Sequence, residues 1–336
     1  MAAGIHDVAR LAGVSVATVS RAFSAPDAVR AATRERVLAA AAQLRYEPNR
    51  AARGLITGRT GNIGVIVPDL GNPFFHAVLQ GAQARARRAD YAVFVADGQE
   101  SAAEEESLIV AMGKQVDGIV LCSSRLEPTA LDALGPTPRL VLLNRRIPGL
   151  PAVVLDSADG MRQAVRHLTG LGHTRCAFVP GPRRSWSDQQ RRRGLSAAAR
   201  STGLEVITLG PSAPTFTAGR EIADAVVATG ATAVLAYNDL VAVGILNRLA
   251  ELGVAVPARL SVVGFDDIPL AAMVTPPLTT VALPAVAAGA AAVEVLLHRL
   301  DSGGEAIAPR AIVRTLPAEL VVRGSTGPPP PSTLRC

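Results

Sequence analysis

Several short apolar runs in this chain end directly in polar side chains. Asp69 follows Val67-Pro68, Asn144-Arg145 follow Leu142-Leu143, Asn238-Asp239 follow Ala236-Tyr237, and Asp266 follows Gly264-Phe265. If the runs are strands of an open parallel sheet, these residues stand where such sheets bind ligands, beyond the carboxyl ends of the strands. Trp186 and Arg191, from the Arg-rich stretch 183–193, add a flat ring and a guanidinium. Acids, amides, guanidiniums and a ring suit a polyhydroxylated ligand: the charged groups pair with adjacent hydroxyls and the ring covers an apolar sugar face. Near the N-terminus a different set of residues shares one short segment. Val16, Ala17, Ser20 and Arg21 can reach a DNA major groove, the first two touching thymine methyls and Arg21 bonding guanine O6 and N7 bidentately. Ser15 and Thr18 are placed for phosphates, which position a protein without reading sequence.

These side chains need elements to carry them. Ile5, Val8, Ala9 and Ala12 recur at helical spacing, and Gly13 follows as a left-handed C-cap. Ser15 is placed to cap a second helix over 16–23, and Thr33 a third through Leu44, with Val37, Leu38, Ala41 and Leu44 facing inward. Three short helices with a tight glycine turn describe a helix-turn-helix module. From residue 61 the pattern changes. Apolar runs at 63–67, 92–96, 118–122, 140–143, 176–179, 233–236 and 262–265 alternate with segments long enough for helices. That alternation predicts βαβ units, parallel sheets buried on both faces, and two doubly wound lobes rather than one sheet. Residues 268–293 carry no charge, but four prolines interrupt them, so a loop followed by a buried helix is expected there instead of a membrane span. The proline-rich end from Gly327 lacks periodicity and is expected to be disordered.

Charge placement separates the two parts. The 336 residues carry 34 Lys+Arg and 28 Asp+Glu, a net +6. Residues 1–60 hold nine arginines and four acids, +5, which leaves +1 for everything after them. A small basic module that meets a polyanion is therefore expected on a nearly neutral body. Asp7 and Arg10 fall where a signal peptide needs its apolar core, so a cytoplasmic protein is expected. Three distant cysteines and five scattered histidines offer no metal-ligand spacing, and neither a metal nor a cofactor is expected. The GxSxG, GxGxxG and GxxxxGK[ST] patterns are absent, which speaks against a hydrolase, a dinucleotide enzyme or a kinase of those types. A secreted sugar-binding protein would have similar lobes but not the basic headpiece. His173 and Asp267 read as structural residues.

The segment Asp7-Val8-Ala9-Arg10-Leu11-Ala12-Gly13-Val14-Ser15-Val16-Ala17-Thr18-Val19-Ser20-Arg21 resembles the DNA-binding headpiece of the LacI/GalR family of bacterial transcription regulators. Residues 44–55, LRYEPNRAARGL, resemble that family's third-helix end and hinge. Asp69-Leu70-Gly71-Asn72-Pro73-Phe74-Phe75, Gly172-His173-Thr174-Arg175, Tyr237-Asn238-Asp239 and Gly264-Phe265-Asp266-Asp267 resemble its effector-binding core, with Val16-Ala17 and Leu143-Asn144-Arg145 closest to the galactose type. The resemblance implies an α/β protein: a helix-turn-helix headpiece and a periplasmic-binding-protein-like core of two doubly wound parallel-sheet lobes. It implies a headpiece over 1–47, a hinge over 48–60 and a core over 61–326. One lobe would take about 61–158 and 284–309, the other about 159–283 and 310–326. A repressor is implied, homodimeric on a pseudo-palindromic double-stranded DNA operator and modulated by a small sugar-like effector between the lobes. In the hinge, Asn49, Ala52, Arg53 and Leu55 would meet the minor groove, Leu55 as a wedge between central base pairs. For the effector, the resemblance supports Arg191, Asn238 and Asp266 most directly, and Asp69, Phe74, Asn144, Arg145, Trp186 and Asp188 through looser matches. Gly4 departs from the family, which places threonine there, so a weaker cap is expected on the first helix.

Overall fold

The computed structural model describes residues 3–24, 26–46, 59–133, 139–301 and 312–331. The chain divides into two units, Met1–Gly61 and Asn62–Cys336.

In the first unit, helix Ile5–Ala12 buries Val8, Ala9 and Ala12. Gly13, at φ 63°, ends it by returning its N–H to the carbonyls of Ala9 and Arg10. Gly4 supplies no capping side chain, but the Asp7 carboxylate accepts the Gly4 N–H at 3.0 Å, which is half of a capping box. Helix Val16–Ser24 starts on Ser15, whose hydroxyl accepts the Thr18 N–H at 3.2 Å. The third helix, Ala31–Gln43, begins before Thr33, the expected cap; Arg30 holds the cap position with no side-chain bond. Val37, Ala40 and Ala41 make its inward stripe. Leu38, expected inward, is 40% exposed, because one residue on from Val37 lies about 100° around the helix.

The second unit holds two six-stranded sheets. In the first, strands run in the order β11-β5-β4-β3-β1-β2, all parallel. They are β1 Asn62–Val67, β2 Ala92–Asp97, β3 Gly118–Cys122, β4 Leu140–Leu143, β5 Ala152–Leu155 and β11 Val313–Leu316. The second runs β12-β10-β9-β8-β6-β7, parallel except where β12 meets β10. Its strands are β6 Arg175–Val179, β7 Glu205–Thr208, β8 Ala233–Ala236, β9 Ser261–Asp266, β10 Thr279–Ala282 and β12 Glu319–Val321. Central strands β3, β4, β8 and β9 are buried at every position, as strands covered on both faces must be.

Three expectations need correction. Residues 310–326 do not all belong with the second lobe, since β11 pairs with β5 in the first sheet and only β12 joins the second. The uncharged stretch 268–293 is more than loop and helix: it holds helix Pro269–Met273 and β10, where Thr279, Thr280 and Val281 supply β-branched side chains. At the proline-rich end, Gly327 is fixed rather than free. Its carbonyl accepts from Ser261 Oγ and lies 2.9 Å from His173 Nε2.

Helix Pro73–Arg87 lies against helix Ala285–Asp301 over the first sheet, through glycines on both sides. A Cβ on Gly289 would stand 1.9 Å from the Val78 carbonyl oxygen, and one on Gly81 equally close to that of Val286.

Candidate functional site

The second helix of the first unit presents Ser15, Ala17 and Arg21 to solvent, while Val16, Thr18 and Ser20 are half-buried. Val16 also packs on the headpiece core, formed by Val8, Ala9, Ala12, Val19, Ala22, Val37, Ala40 and Ala41. Ser15 Oγ and Thr18 Oγ1 lie 2.9 Å apart, and Arg21 Nε donates to the Ala17 carbonyl at 3.3 Å, so the guanidinium runs back along the exposed face. Asn49, Ala52, Arg53 and Leu55 lie outside the described residues.

In the second unit, strand order reverses at β1/β3 and at β6/β8, the positions where open parallel sheets leave a crevice. The segments leaving these strands meet across the lobes. Asn144, just past β4 and at φ 56°, donates through Nδ2 to Ser187 Oγ at 2.9 Å in helix Trp186–Thr202 and to Ser123 Oγ at 3.2 Å beyond β3. Trp186 packs against the apolar cluster of the first lobe. Arg184 and Glu127 approach to 3.9 Å on the exposed rim.

Arg191 and Asp266 form a buried ion pair in the second lobe, Nη2 to Oδ1 at 3.2 Å. Arg191 also donates to the Tyr237 carbonyl, and its guanidinium lies over the Phe265 ring at 3.8 Å and the Tyr237 ring at 4.6 Å. Burial pushes Asp266 up to about 6 against the pull of Arg191. Behind it, Asp239 accepts from Ile268 N–H and Thr280 Oγ1, and is held well above the usual carboxylate range by burial and by the charge of Asp266.

Two cavities open between the lobes. One, of about 620 Å³, is lined by Asp69, Asp97, Gln99 and Glu100 on one side and Pro182, Pro214 and Thr215 on the other. The second, of about 520 Å³, has Phe74 and Ala77 facing Asp266 and Asp267. Asp69, Phe74 and Asp266 thus reach open space. Asn144 and Arg145 are buried; Arg145 donates to the carbonyls of Ser124 and Leu126, and burial lowers its pKa. Asp188 and Asn238 have local structural bonds. Asp188 accepts from Gly181 N–H and Arg192 Nε, and Asn238 caps helix Asp239–Glu251 while donating to the Pro214 carbonyl.

Residues 4–49 match the model of bacterial regulatory proteins of the lacI family, and residues 165–326 that of the periplasmic binding protein-like domain. The HTH-type transcriptional regulator GalS of Salmonella typhimurium strain LT2 is 35% identical over 88% of this chain and 89% of its own. The chain belongs to the lacI family. It is a DNA-binding transcriptional regulator, as that family's members are, and not an enzyme. Among solved structures, the lac repressor dimer bound to operator and the anti-inducer ONPF is 28% identical, with TM-score 0.84 over 97% of this chain and 100% of that one. The complex of the transcriptional regulator CelR with cellobiose is 29% identical, with TM-score 0.71 over 96% and 99%.

In this lacI-family chain Arg125 stands three residues beyond the run 118–122, whereas Asn144 directly follows its own. Arg125 is 4% exposed and clasped bidentately by Glu100, Nε to Oε2 at 2.6 Å and Nη2 to Oε1 at 3.0 Å. Glu100 sits at φ 53° beside Gln99 at φ 50°, a turn that aims its carboxylate into the cleft wall. The residues directly after the run 118–122 are Ser123 and Ser124, so the strand-end rule reaches Arg125 only when read three residues on. Nothing local in the sequence marks Glu100.

Proposed function

We propose that this lacI-family regulator is a cytoplasmic repressor, homodimeric on a pseudo-palindromic operator, whose DNA affinity is set by a small sugar-like effector between the core lobes. The observation that carries the reading is the interlobe cleft. Asp69 and Phe74 from one lobe face cavities completed by the other, and Asp266 is held in place by Arg191. A ligand touching both lobes prefers one arrangement of them and so shifts its population. The bound cellobiose of the CelR complex supports a sugar as ligand, and the operator-bound lac repressor dimer supports the assembly. Edge strand β2 leaves Phe94 and Val95 about 40% exposed, an apolar edge that a second copy would cover. In this reading residues 1–47 read bases through Val16, Ala17, Ser20 and Arg21. Residues 48–60 form the hinge, with Leu55 as its wedge.

The test is fluorescence anisotropy of labelled duplexes with the full chain, with and without sugars. A pseudo-palindrome bound more tightly than its scrambled version, with steep salt dependence and a sugar-induced change in Kd, is expected. Equal affinity for both duplexes would reject the reading.

A further inference from the structure

A third cavity, of about 650 Å³, lies within the second lobe between helix Trp186–Thr202 and edge strand β7, and shares no lining residue with the two interlobe cavities. Phe178, Leu195 and Leu204, each at most 5% exposed, make its apolar floor. Ala199 of the helix and Val206 of the strand are its half-buried walls.

The strand beside this cavity has an open edge. Among the described residues β7 pairs with β6 alone. Glu205 N–H donates to the Thr174 carbonyl and Leu209 N–H to the Phe178 carbonyl, so the alternate residues Val206 and Thr208 turn their own N–H and C=O groups outward. Val206 and Thr208 also line the cavity. The strand's sequence, Glu-Val-Ile-Thr, holds no proline to block the addition of another strand.

The charge on the rim is one-sided. Arg192 is paired with Asp188 at 2.6 Å, and Glu205, the cavity's single acid among the described residues, is paired with Arg175 at 3.2 Å. Arg200, on the cavity, and Arg193, two helical turns before it on the same side, are exposed and have no acid partner among the described residues. Two positive charges therefore stand uncompensated beside an apolar floor and an unpaired backbone edge.

We propose that this groove takes an extended acidic segment of a partner protein, added as a strand to β7, with one apolar side chain in the cavity and a carboxylate on Arg200. Pairing with the Val206 and Thr208 backbone supplies affinity, while the cavity and the guanidiniums select the sequence. Side chains of an added strand alternate, so the apolar residue and the acid that face the helix stand two positions apart. The inference is independent of the sugar reading, because the groove lies outside the interlobe cleft.

The experiment selects a random nine-residue peptide library against the immobilised full chain and measures the enriched peptides by fluorescence anisotropy. Enriched peptides are expected to carry Asp or Glu two positions from Leu, Ile, Val or Phe, and to bind more weakly as salt rises. Arg200→Glu, at an exposed site, is expected to raise their Kd about tenfold or more. Val206→Pro removes an outward N–H without breaking a bond to β6, so it should also weaken binding while leaving the melting temperature near that of wild type. If it melts lower, Ser196→Trp, which fills the cavity from an exposed position, gives the same reading. Arg259→Glu, at an exposed arginine elsewhere in the lobe, is the control expected to bind as wild type does. No enrichment, enriched peptides without the acid and apolar pair, or a Kd that both Arg200→Glu and the groove variant leave unchanged overturns the inference.

Discussion

Asn144 Nδ2 donates to Ser187 Oγ at 2.9 Å, and this buried bond ties the end of β4 in one lobe to the first turn of a helix in the other. It holds the lobes in the arrangement that encloses the cavities. Ser187→Ala removes an acceptor worth about 1 kcal/mol and should lower the population of that arrangement. The effector Kd, measured by calorimetry, is expected to rise about three- to tenfold. An unchanged Kd would mean that the bond does not govern closure.

Gly289 allows helix Ala285–Asp301 to lie directly on the backbone of helix Pro73–Arg87. Alanine there would push a methyl group into the Val78 carbonyl, which belongs to a packed helix and cannot move cheaply. Overpacking of about 1 to 3 kcal/mol outweighs the helix-propensity gain of at most about 1 kcal/mol, so Gly289→Ala should lower the melting temperature. Gly170 has open space around its Cβ position, and Gly170→Ala is the matched control, expected to melt at or slightly above wild type.

Asp266 makes a pH prediction with two signs. Its folded-state pKa, about 6, lies above that of an exposed aspartate, so folding favours the protonated form. That contribution to stability is complete below about pH 4 and is lost as pH rises through about 6. Ligand binding runs the other way, because a hydroxyl donates better to the carboxylate than to the acid. The effector Kd should fall as pH rises from 5 to 7, and Asp266→Asn should flatten that dependence. A wild-type profile flat over this range would remove the carboxylate from the ligand's contacts.

Arg21 is exposed on the second helix, its Nε tethered to the Ala17 carbonyl. Arg21→Ala should relax base preference at one position of each half-site by about 1 to 3 kcal/mol, and lysine should not restore it, because a point charge lacks the bidentate fork. Binding to a panel of singly substituted operators reads this directly. A uniform loss across all of them would make Arg21 a phosphate contact.

What was legible in the sequence follows from how local each signal is. Gly13 and Ser15 are read from their neighbours alone, and the structure shows a left-handed C-cap at one and a capping hydroxyl at the other. Six of the seven strands read as apolar runs are inner strands buried at most positions, as strands covered on both faces must be, whereas the run of β2 belongs to an edge strand that leaves Phe94 and Val95 exposed. Short β7, Glu205–Thr208, is half-exposed at the sheet edge and carries no such run. Leu38 departs by one residue in helix phase and Thr33 by three residues in the helix start, since Arg30 holds the cap position. In the cleft, strand-end logic finds Asp69, Asn144 and Asp266, but it cannot tell a free polar group from one spent locally. Asp188 and Asn238 look identical in type to ligand contacts until their partners, Gly181, Arg192, Val241 and Pro214, are known. Glu100 depends on two consecutive left-handed residues, which sequence spacing does not encode.

A ligand between the lobes is expected to change the grip of the headpiece on DNA. The most direct test is operator titration of wild type and Asp266→Ala, each with and without the sugar that binds wild type best. Wild type is expected to change its operator Kd about tenfold or more on adding sugar, while Asp266→Ala keeps the sugar-free Kd and loses most of the response at the same concentration. An Asp266→Ala variant that melts and responds as wild type does, or a sugar that binds wild type yet leaves its operator Kd unchanged, would show that the cleft does not control the headpiece.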